Sequence, residues 1–464
     1  MRIAFHGADR TVTGSCHRVE CAGVRILIDC GLVQGGHEIE ARNRSAFGFE
    51  PADIDFVLLT HAHLDHCGRL PLLAKRGFRG EIICTAATRE LASVVMLDSA
   101  HLQEEEVRRN LRRNLRRRAR ADEPETEALY TVLDALSCLD RFGRSAAYGE
   151  ALQLGAGVRA TFLDAGHILG SASLYLELEE QGRRQTLAFT GDLGNQGRPL
   201  LRTPVVPPPS DIAVMETTYG DRLHKPIAPS IEEFYAAVNG AFERGGNVVI
   251  PTFALERAQE ILWFLREGQE SARLPAHAQV FLDSPMAISA TQIFEHHPEC
   301  FEPHVARLFR AGGDPFAVPG LHFTRDVTES IAINRFRGGA VILAGAGMCN
   351  GGRVRHHLRQ NLWRESSAVI FVGYAARGTL ARRIIDGARS VRIFDEEVRV
   401  RASIYTINGF SAHADRDELL AWHRKVRPKR TFLVHGEEDV MQAFAPLLRD
   451  TRVEMPEFGQ SCEI

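Results

Sequence analysis

Four side chains that suit a metal ion lie within a short stretch, directly after an apolar run that predicts a buried strand. The run is Phe56-Val57-Leu58-Leu59, and the side chains are those of His61, His63, Asp65 and His66. Neutral imidazole and carboxylate groups are ligands for zinc or a similar first-row ion. In an extended segment, alternation puts His61, His63 and Asp65 on one side of the backbone, and a turn at Asp65 lets His66 point at a second ion. A two-metal site is therefore the first hypothesis, and a His-rich loop that binds no metal is the alternative.

The bulk composition excludes several other classes of protein. A chain of 464 residues predicts two or three domains, and its net charge of −3 does not by itself indicate a nucleic-acid binder. The nine cysteines include no C-x-x-C pair, so we expect neither a disulfide framework nor a thiolate zinc cluster. We see no signal-peptide apolar region at the start and no apolar run of about 20 residues, so we expect a cytoplasmic protein without a membrane span.

Three further turns present polar side chains at predicted strand ends. The strand Val24 to Ile28 ends in Asp29-Cys30-Gly31, His167 lies in a small-residue turn, and Asp192 is flanked by Gly191 and Gly194. Glycines beside an aspartate let the backbone turn sharply and direct the carboxylate. Each turn alone is explained as a surface turn, but that explanation is weak for all of them together with the histidine cluster.

The pattern of predicted strands, helices and loops changes twice along the chain and predicts an inserted domain. A proline-rich connection over 203–210 precedes alternating strand and helix patterns, which indicate a parallel sheet covered on both faces. The last 65 or so residues return to strands that end in polar loops, with His413 in one loop and His435 in another. We therefore divide the chain into residues 1–208, an inserted α/β block of residues 209–397, and a closing segment of residues 398–464.

Two glycine-containing loops in the α/β block are candidates for substrate binding. Each follows a predicted strand and precedes a predicted helix, where backbone N–H groups suit a phosphate. A tight turn explains the glycines equally well. The candidate substrate-binding residues are Gly347, Met348, Gly351, Gly352 and Arg353 in the first loop, and Arg377 and Thr379 in the second.

A basic helix is predicted from Arg89 to Arg120. Val107, Leu111 and Leu115 recur at four-residue spacing and form a packing stripe, and eight arginines surround them between Arg108 and Arg120. One interpretation is a solvated face, paired in part with the glutamates at 104–106. The other is a surface that follows phosphates near the active site.

Taken together, these motifs resemble the β-CASP branch of the metallo-β-lactamase superfamily, and they occur in the family order over nearly the whole chain. The matching residues are Asp29; His61, His63, Asp65 and His66; His167; Asp192; Glu216 in Met-Glu-Thr-Thr-Tyr-Gly, which resembles motif A of the branch; His413 in Ser-Ala-His-Ala-Asp, which resembles motif B; and His435 in Val-His-Gly-Glu, which resembles motif C. The resemblance implies a metallo-β-lactamase αββα sandwich with an inserted β-CASP domain. The chain is similar to short bacterial members and to the cleavage subunit of the pre-mRNA 3′-end machinery.

The resemblance also implies a set of ligands for two zinc ions. The first ion would take His61, His63 and His167, the second would take Asp65, His66 and His435, and Asp192 would lie between them with a hydroxide. Asp29 and Glu216 would orient ligands or the motif B histidine. Manganese is an alternative ion for such ligands.

By the same analogy, the expected activity is hydrolysis of single-stranded RNA, leaving a 5′-phosphate and a 3′-hydroxyl. The predicted catalytic residues are Asp65, Asp192, Glu216 and His413, with His413 as the acid for the leaving oxygen. A histidine at the His435 position is usual in members that act on RNA, whereas DNA-acting members carry an apolar residue there. A homodimer is expected by resemblance only. Endonucleolytic cleavage is favoured, and 5′–3′ exonuclease activity stays open.

Three alternative functions compete with the ribonuclease hypothesis. One is a small-molecule hydrolase of the same superfamily, which the large insertion and motifs A and B disfavour. Another is a DNA nuclease, which His435 disfavours. The third is a non-enzymatic subunit of an RNA-processing assembly, which the complete ligand set disfavours.

Overall fold

The computed structural model describes residues 1–34, 41–117, 127–373, 375 and 378–464, with the backbone alone for 113–117. These residues form two compact units. The first contains Met1–Gln196, Thr203–Arg222 and His413–Ile464, and the second contains Gly197–Arg202 and Leu223–Ala412. Arg377, one of the predicted substrate-binding residues, and residues 118–120 of the predicted basic helix lie outside the described residues.

Two seven-stranded sheets form the centre of the first unit. One has the order β22-β1-β2-β3-β4-β5-β6, and the other has the order β21-β20-β11-β10-β9-β8-β7. The strands of the first sheet are β1 (Arg2–Phe5), β2 (His17–Cys21), β3 (Val24–Ile28), β4 (Phe56–Leu58), β5 (Glu81–Cys84), β6 (Phe142–Ser145) and β22 (Ser461–Glu463). Those of the second are β7 (Ala151–Gly155), β8 (Val158–Asp164), β9 (Ala172–Glu180), β10 (Arg183–Phe189), β11 (Ile212–Glu216), β20 (Arg430–Val434) and β21 (Arg452–Glu454).

The two sheets pack face to face through alternating apolar residues. Phe5 and Ile28 of the first sheet share one buried cluster with Phe162, Phe189 and Phe432 of the second. Since successive side chains of a strand point to opposite faces, this inner core leaves the outer face of each sheet to be covered by helices.

Helices cover both outer faces of the sandwich. The helices of the first unit are α1 (Leu64–Cys67), α2 (Leu70–Lys75), α3 (Ala86–Arg117), α4 (Val132–Leu139), α12 (Arg416–Val426) and α13 (Glu438–Phe444). The first four lie in the crossovers between the parallel strands β4, β5 and β6. On the other face, Leu419 and Phe444 pack on Ala213 and Leu433. This arrangement confirms the predicted αββα sandwich.

The second unit contains a six-stranded parallel sheet with the order β14-β13-β15-β12-β16-β19. Its strands are β12 (Val248–Pro251), β13 (Gln279–Leu282), β14 (Leu321–Phe323), β15 (Ala340–Ala344), β16 (Ala368–Phe371) and β19 (Ser403–Thr406), and a separate hairpin is formed by β17 (Ser390–Ile393) and β18 (Glu396–Arg399). Its helices are α5 (Ile227–Glu243), α6 (Arg257–Glu270), α7 (Pro285–His296), α8 (Pro303–Arg310), α9 (Val327–Ala332), α10 (Val354–Asn361) and α11 (Leu380–Ile385). The alternation of strand and helix correctly predicts this parallel sheet.

Strand pairing places two strands differently from the sequence pattern. Strand β11 resembles the strands of the α/β block, but it pairs with β10 and β20 in the first unit. Strand β19 resembles the closing segment, but it pairs with β16 in the second unit. The division of the chain at residues 208 and 397 stays a prediction.

The composition argues against a disulfide framework and against a membrane-spanning helix, and the structure bears on both. The nine cysteines all lie in the described residues, form no disulfide there, and are buried except for the half-buried Cys462. Within the described ranges, no helix has both the length and the apolar composition that a membrane crossing requires.

Candidate metal centre

The predicted ligands lie at one edge of the sandwich because they follow parallel strands. His61 and His63 follow β4, and Asp65 and His66 lie on the one-turn helix α1. Asp192 follows β10, Glu216 ends β11, and His435 follows β20, and these three strands are parallel neighbours. His167 lies in the turn between β8 and β9, and His413 precedes α12. The carboxyl ends of parallel strands meet at one edge, which brings residues from His61 to His435 together.

The donor atoms form two compact sets. One set contains His61, His63, His167 and Asp192, and the other contains Asp65, His66 and His435, with the donor atoms of each set within 4.8 Å of one another. A third group shares Asp192 with Glu216 and His413. The first two sets are those that the sequence motifs predict, with Asp192 placed in the first.

Asp192 faces both sets with different oxygens. Its Oδ2 lies 3.3 Å from His61 Nε2 and 3.5 Å from His167 Nε2. Its Oδ1 lies 3.3 Å from His66 Nε2 and 3.6 Å from His435 Nε2. Asp192 therefore faces the donor atoms of both sets at once.

In the part of the chain that the structure describes, one donor atom is left without a hydrogen-bond partner, and several ring nitrogens face one another. Among the described residues, Asp192 Oδ1 is buried without a hydrogen-bond partner. His63 Nδ1 lies 3.1 Å from His61 Nε2 and 3.2 Å from His167 Nε2, so ring nitrogens converge on one another. Because buried polar atoms are normally satisfied, these residues fit a site for divalent cations.

The protonation of the first set suits metal binding. Burial lowers the pKa of His61 to about 3 and that of His63 to about 4, and it also holds the pKa of His167 well below its ordinary value. These rings are therefore neutral at physiological pH, and the neutral ring is the form that binds a metal ion.

The carboxylate of Asp192 is ionised in this site. Burial opposes its ionisation, but the surrounding rings of His435, His66 and His61 hold the pKa of Asp192 well below its usual range. Burial likewise disfavours the charged ring of His66, yet the carboxylates of Asp192 and Asp29 outweigh it and raise the pKa of His66. A cluster with this many negative groups provides a strong field for cations.

Asp29 holds one ligand from behind. Its Oδ2 accepts a hydrogen bond from His66 Nδ1 at 2.8 Å and another from the Thr60 hydroxyl at 2.8 Å. Its Oδ1 accepts from the Thr60 backbone N–H at 2.7 Å. These bonds hold the ring so that His66 Nε2 points toward Asp192, and this is the arrangement typical of carboxylates that support metal-bound histidines.

Glu216 is fully buried and holds His413. Its Oε2 accepts a hydrogen bond from His413 Nδ1 at 3.0 Å, and its Oε1 accepts from the Leu193 backbone N–H. Burial alone would disfavour a charged ring, but the Glu216 carboxylate outweighs it and raises the pKa of His413 to about 9. The predicted pairing of these two residues therefore brings a protonated imidazole to the edge of the centre.

The chain matches three family descriptions along its length. Residues 11–251 match the metallo-beta-lactamase superfamily, residues 258–384 match the Beta-Casp domain, and residues 397–456 match the Zn-dependent metallo-hydrolase RNA specificity domain. The chain belongs to the β-CASP branch of the metallo-β-lactamase superfamily. With that family it is a metal-dependent hydrolase.

Named relatives match the chain over most of its length. A ribonuclease of Thermus thermophilus is 41% identical, and the alignment covers 100% of both chains. A transcription termination factor, FttA, of Methanocaldococcus jannaschii is 31% identical over 97% of this chain and 69% of its own. An RNase J-like protein of the same organism is 29% identical over 98% of this chain and 97% of its own. A crystal structure of a protein of unknown function from Enterococcus faecalis shares the fold, with a TM-score of 0.54, 12% identity and 99% of both chains covered.

Three residues with hydroxyl groups, which the sequence motifs do not single out, form hydrogen bonds around the centre. Thr60 binds Asp29, and its hydroxyl also lies 3.0 Å from His61 Nδ1. The Thr218 hydroxyl donates to Glu216 and lies 3.1 Å from His435 Nδ1. Ser171 accepts hydrogen bonds from the backbone N–H of His167 and Ile168. The one sequence signal that could have predicted their role is that they lie next to motif residues. This signal is weak because threonine and serine are common in turns.

The predicted substrate-binding residues other than Arg377 lie in the second unit, in or next to turns after β15 and β16. Gly347, Met348, Gly351 and Gly352 lie in the turn before α10, and at Gly352, where φ is +75°, a Cβ would meet the Gly345 carbonyl oxygen at 2.3 Å. Thr379 caps α11 by accepting from the Arg382 backbone N–H.

Arg353 has buried protein partners. Its Nη1 donates to Asp283 Oδ1 at 2.7 Å and to the Thr324 carbonyl oxygen at 3.0 Å. Asp283 is fully buried and also binds His357. These contacts give Arg353 a structural role, and substrate binding by Arg353 and the glycine loop stays a prediction.

Proposed function

We propose that the protein is a zinc-dependent ribonuclease that hydrolyses phosphodiester bonds of single-stranded RNA. The observation that carries this proposal is the division of Asp192 between the two donor sets. The RNA substrate is supported by the match of residues 397–456 to an RNA specificity domain and by the 41% identical ribonuclease of Thermus thermophilus.

In this proposal two zinc ions occupy the two donor sets. His61, His63 and His167 would hold the first ion, Asp65, His66 and His435 would hold the second, and Asp192 would serve both. When bound, such ions lower the pKa of a water molecule to about 7 and neutralise charge on the scissile phosphate. Manganese is the alternative ion, since its preferred ligands overlap with these.

The side chains around the centre supply orientation and a proton. Asp29 keeps His66 in place through the Nδ1 hydrogen bond. His413 is the acid in this scheme: Glu216 holds Nδ1, and the ring donates a proton from Nε2 to the departing ribose oxygen. The expected products are a 5′-phosphate and a 3′-hydroxyl.

The nature of the substrate is tested with matched oligonucleotides. We expect the purified chain to cleave a labelled single-stranded RNA, to leave a DNA of the same sequence largely intact, and to show little activity on a thioester substrate. Cleavage of the DNA or the thioester with no cleavage of RNA would overturn the proposal in favour of a DNA nuclease or a small-molecule hydrolase.

A pair of variants ties the activity to the centre. His63→Ala removes a proposed ligand and should abolish RNA cleavage. His423→Gln is the matched control, because His423 is a buried histidine of the same unit that binds the Thr431 hydroxyl at 2.9 Å. The control should keep the parent rate, and equal activity in all three proteins would contradict the assigned site. Endonucleolytic mode, the cytoplasmic location and the homodimer stay predictions.

A further inference from the structure

Helix α3 is anchored to the metal centre at its N-terminal end. The hydroxyls of Thr85 and Thr88 both donate to the Gly170 carbonyl oxygen, in the turn that carries His167. Farther along, the returning chain binds the helix, since the backbone N–H of Leu129 donates to Gln103 and that of Val132 donates to Glu104. The first part of α3 is therefore fixed to the first unit.

The helix continues beyond Glu104 without such support. Within the described part of the chain, none of residues 105–112 is buried, and no hydrogen bond or ion pair joins them to another element. Leu111 is 43% exposed. The chain nevertheless stays helical to Arg117. Val107 and Asn110 are half-buried, and the other six residues of 105–112 are exposed. A helix that is exposed over most of its surface needs favourable interactions of its own or a partner.

Its charges do not supply those interactions. Glu104 forms an ion pair with Arg108 at 3.2 Å, but from Val107 to Ala121 the sequence contains no acidic residue. Arginines instead recur at four-residue intervals, as at Arg108 and Arg112, and like charges at this spacing destabilise a helix. An exposed helix with unfavourable charge repeats is explained by an anionic partner.

We propose that Arg108, Arg109 and Arg112, here called the arginine surface, bind the backbone of RNA that extends from the metal centre. Guanidinium groups match phosphate in geometry and keep their charge at any physiological pH. Arg108 and Arg112 lie one helical repeat apart on the same face, about 6 Å along the axis. Such a row of cations suits a linear polyanion. This inference rests on the proposed function, because RNA is taken as the substrate.

The position of the surface defines which RNA it can reach. Arg108 lies 20 residues beyond Thr88 (108 − 88), which is about 30 Å along the helix axis. Arg108 therefore lies well away from the centre. The interpretation from the sequence expects a surface near the active site. Only RNA that is much longer than the segment at the metal centre can contact both.

The test compares two triple variants. R108Q/R109Q/R112Q removes the arginine surface, and glutamine keeps the helical propensity. R2Q/R183Q/R184Q is the control, because these arginines are also exposed in the first unit and one of them, Arg184, also has a carboxylate partner, Glu179, at 3.0 Å. Binding of a single-stranded RNA of about 30 nucleotides is measured by fluorescence anisotropy at several salt concentrations, in a His413→Ala background that is expected to bind without rapid cleavage.

We expect the first triple variant to bind the long RNA about tenfold or more weakly at low salt. The slope of log affinity against log salt should fall by about 2, because each phosphate contact contributes about 0.7 for single strands. The same triple variant with His413 restored should cleave an oligonucleotide of about eight nucleotides at the parent rate. A second variant, E105Q/E106Q, should bind the long RNA more tightly than the parent, since it removes opposing charge.

Affinity and slope equal to the parent, or an equal loss in the control, would overturn the arginine surface. A change in oligomeric state without a change in RNA binding would also overturn it, and would indicate a second copy of the chain as the partner. If the parent cleaves neither RNA, the proposed function fails. If the parent cleaves both and the first triple variant binds the long RNA normally, only the arginine surface fails.

Discussion

Asp192 determines the chemistry of the centre at the scale of single residues. Each of its two oxygens faces a different set of imidazoles, and Oδ1 is buried without a hydrogen-bond partner in the described residues. Asp192 belongs to the first set, and its Oδ1 also faces His66 and His435 of the second. Around the two sets, Asp29 holds the ligand candidate His66, and Glu216 holds His413 beside them.

The role of His413 leads to a first prediction. His413→Ala should lower the cleavage rate by about 100-fold or more, the range typical of a lost general acid, while the affinity for RNA changes little. Single-turnover cleavage and equilibrium binding measure the two quantities separately, and the metal content should equal that of the parent. A His413→Ala protein that cleaves RNA as fast as the parent would exclude the acid role.

Asp29 provides a second prediction at this scale. Asp29→Asn keeps the size of the side chain but removes the charge that supports His66. We expect the affinity for zinc to fall by about 10- to 100-fold, as is usual for the loss of such a supporting carboxylate. Competition with a chromophoric chelator measures it. An unchanged zinc affinity would show that Asp29 serves folding alone.

The sequence motifs contain the residues that the structure brings together as candidate ligands, but not the residues that hydrogen-bond to them. His61, His63, Asp65 and His66 form a dense motif after a strand, and such residue types in that pattern have few structural explanations. Thr60 and Thr218 are not predicted, because a threonine beside a motif is common in any turn. Their roles depend on contacts between distant strands, which spacing along the chain does not reveal.

At the scale of elements, the N-terminal end of α6 contains a buried acid. Glu256 is 5% exposed, adopts a φ of +64°, and its Oε2 lacks a hydrogen-bond partner in the part of the chain that the structure describes. Burial raises the pKa of Glu256 to about 7, although the guanidinium groups of Arg257 and Arg198 oppose this. The folded protein therefore binds a proton that the unfolded chain has already released above pH 4.5.

This difference predicts a pH dependence of stability. Because the pKa is higher in the folded state, the contribution of Glu256 is fully present below about pH 4.5 and is lost as the pH rises to about 7. The loss amounts to about 3 kcal/mol at 1.36 kcal/mol per pKa unit. Glu256→Gln should lack this loss, so its advantage over the parent in urea unfolding should grow from pH 5 to pH 8. A constant difference between the two proteins would contradict the assigned pKa.

The position of a strand is predictable where the local residue pattern determines it. The sheet to which the strand belongs is not, because pairing with distant strands determines it. The strand Val24–Ile28 is predicted at its observed bounds. Strands β11 and β19 are predicted as strands, but their sheets are not, because an apolar run fits any buried strand position equally well. The partner of Arg353 is also not predictable from the sequence, because Asp283 is 70 residues away in the chain.

At the scale of the whole molecule, the first unit carries all the proposed ligands, although the chain that forms it is interrupted by the second unit. The proposed ligands range from His61 to His435, so the site forms only when the closing segment has joined the sheet through β20. The family match over the whole chain agrees with this organisation. Folding and metal binding are thus coupled, because the second donor set needs His435.

In the proposed site seven side chains hold two divalent cations, and the metal content of the purified protein measures this. The parent should contain close to two ions per chain, as a two-metal site requires. His167→Ala removes a donor of the first set alone, His435→Ala removes one of the second alone, and each should retain about one ion. The control His423→Gln should retain both ions. A parent that binds no more than one ion when zinc is in excess, or single variants that both keep two, would contradict the account.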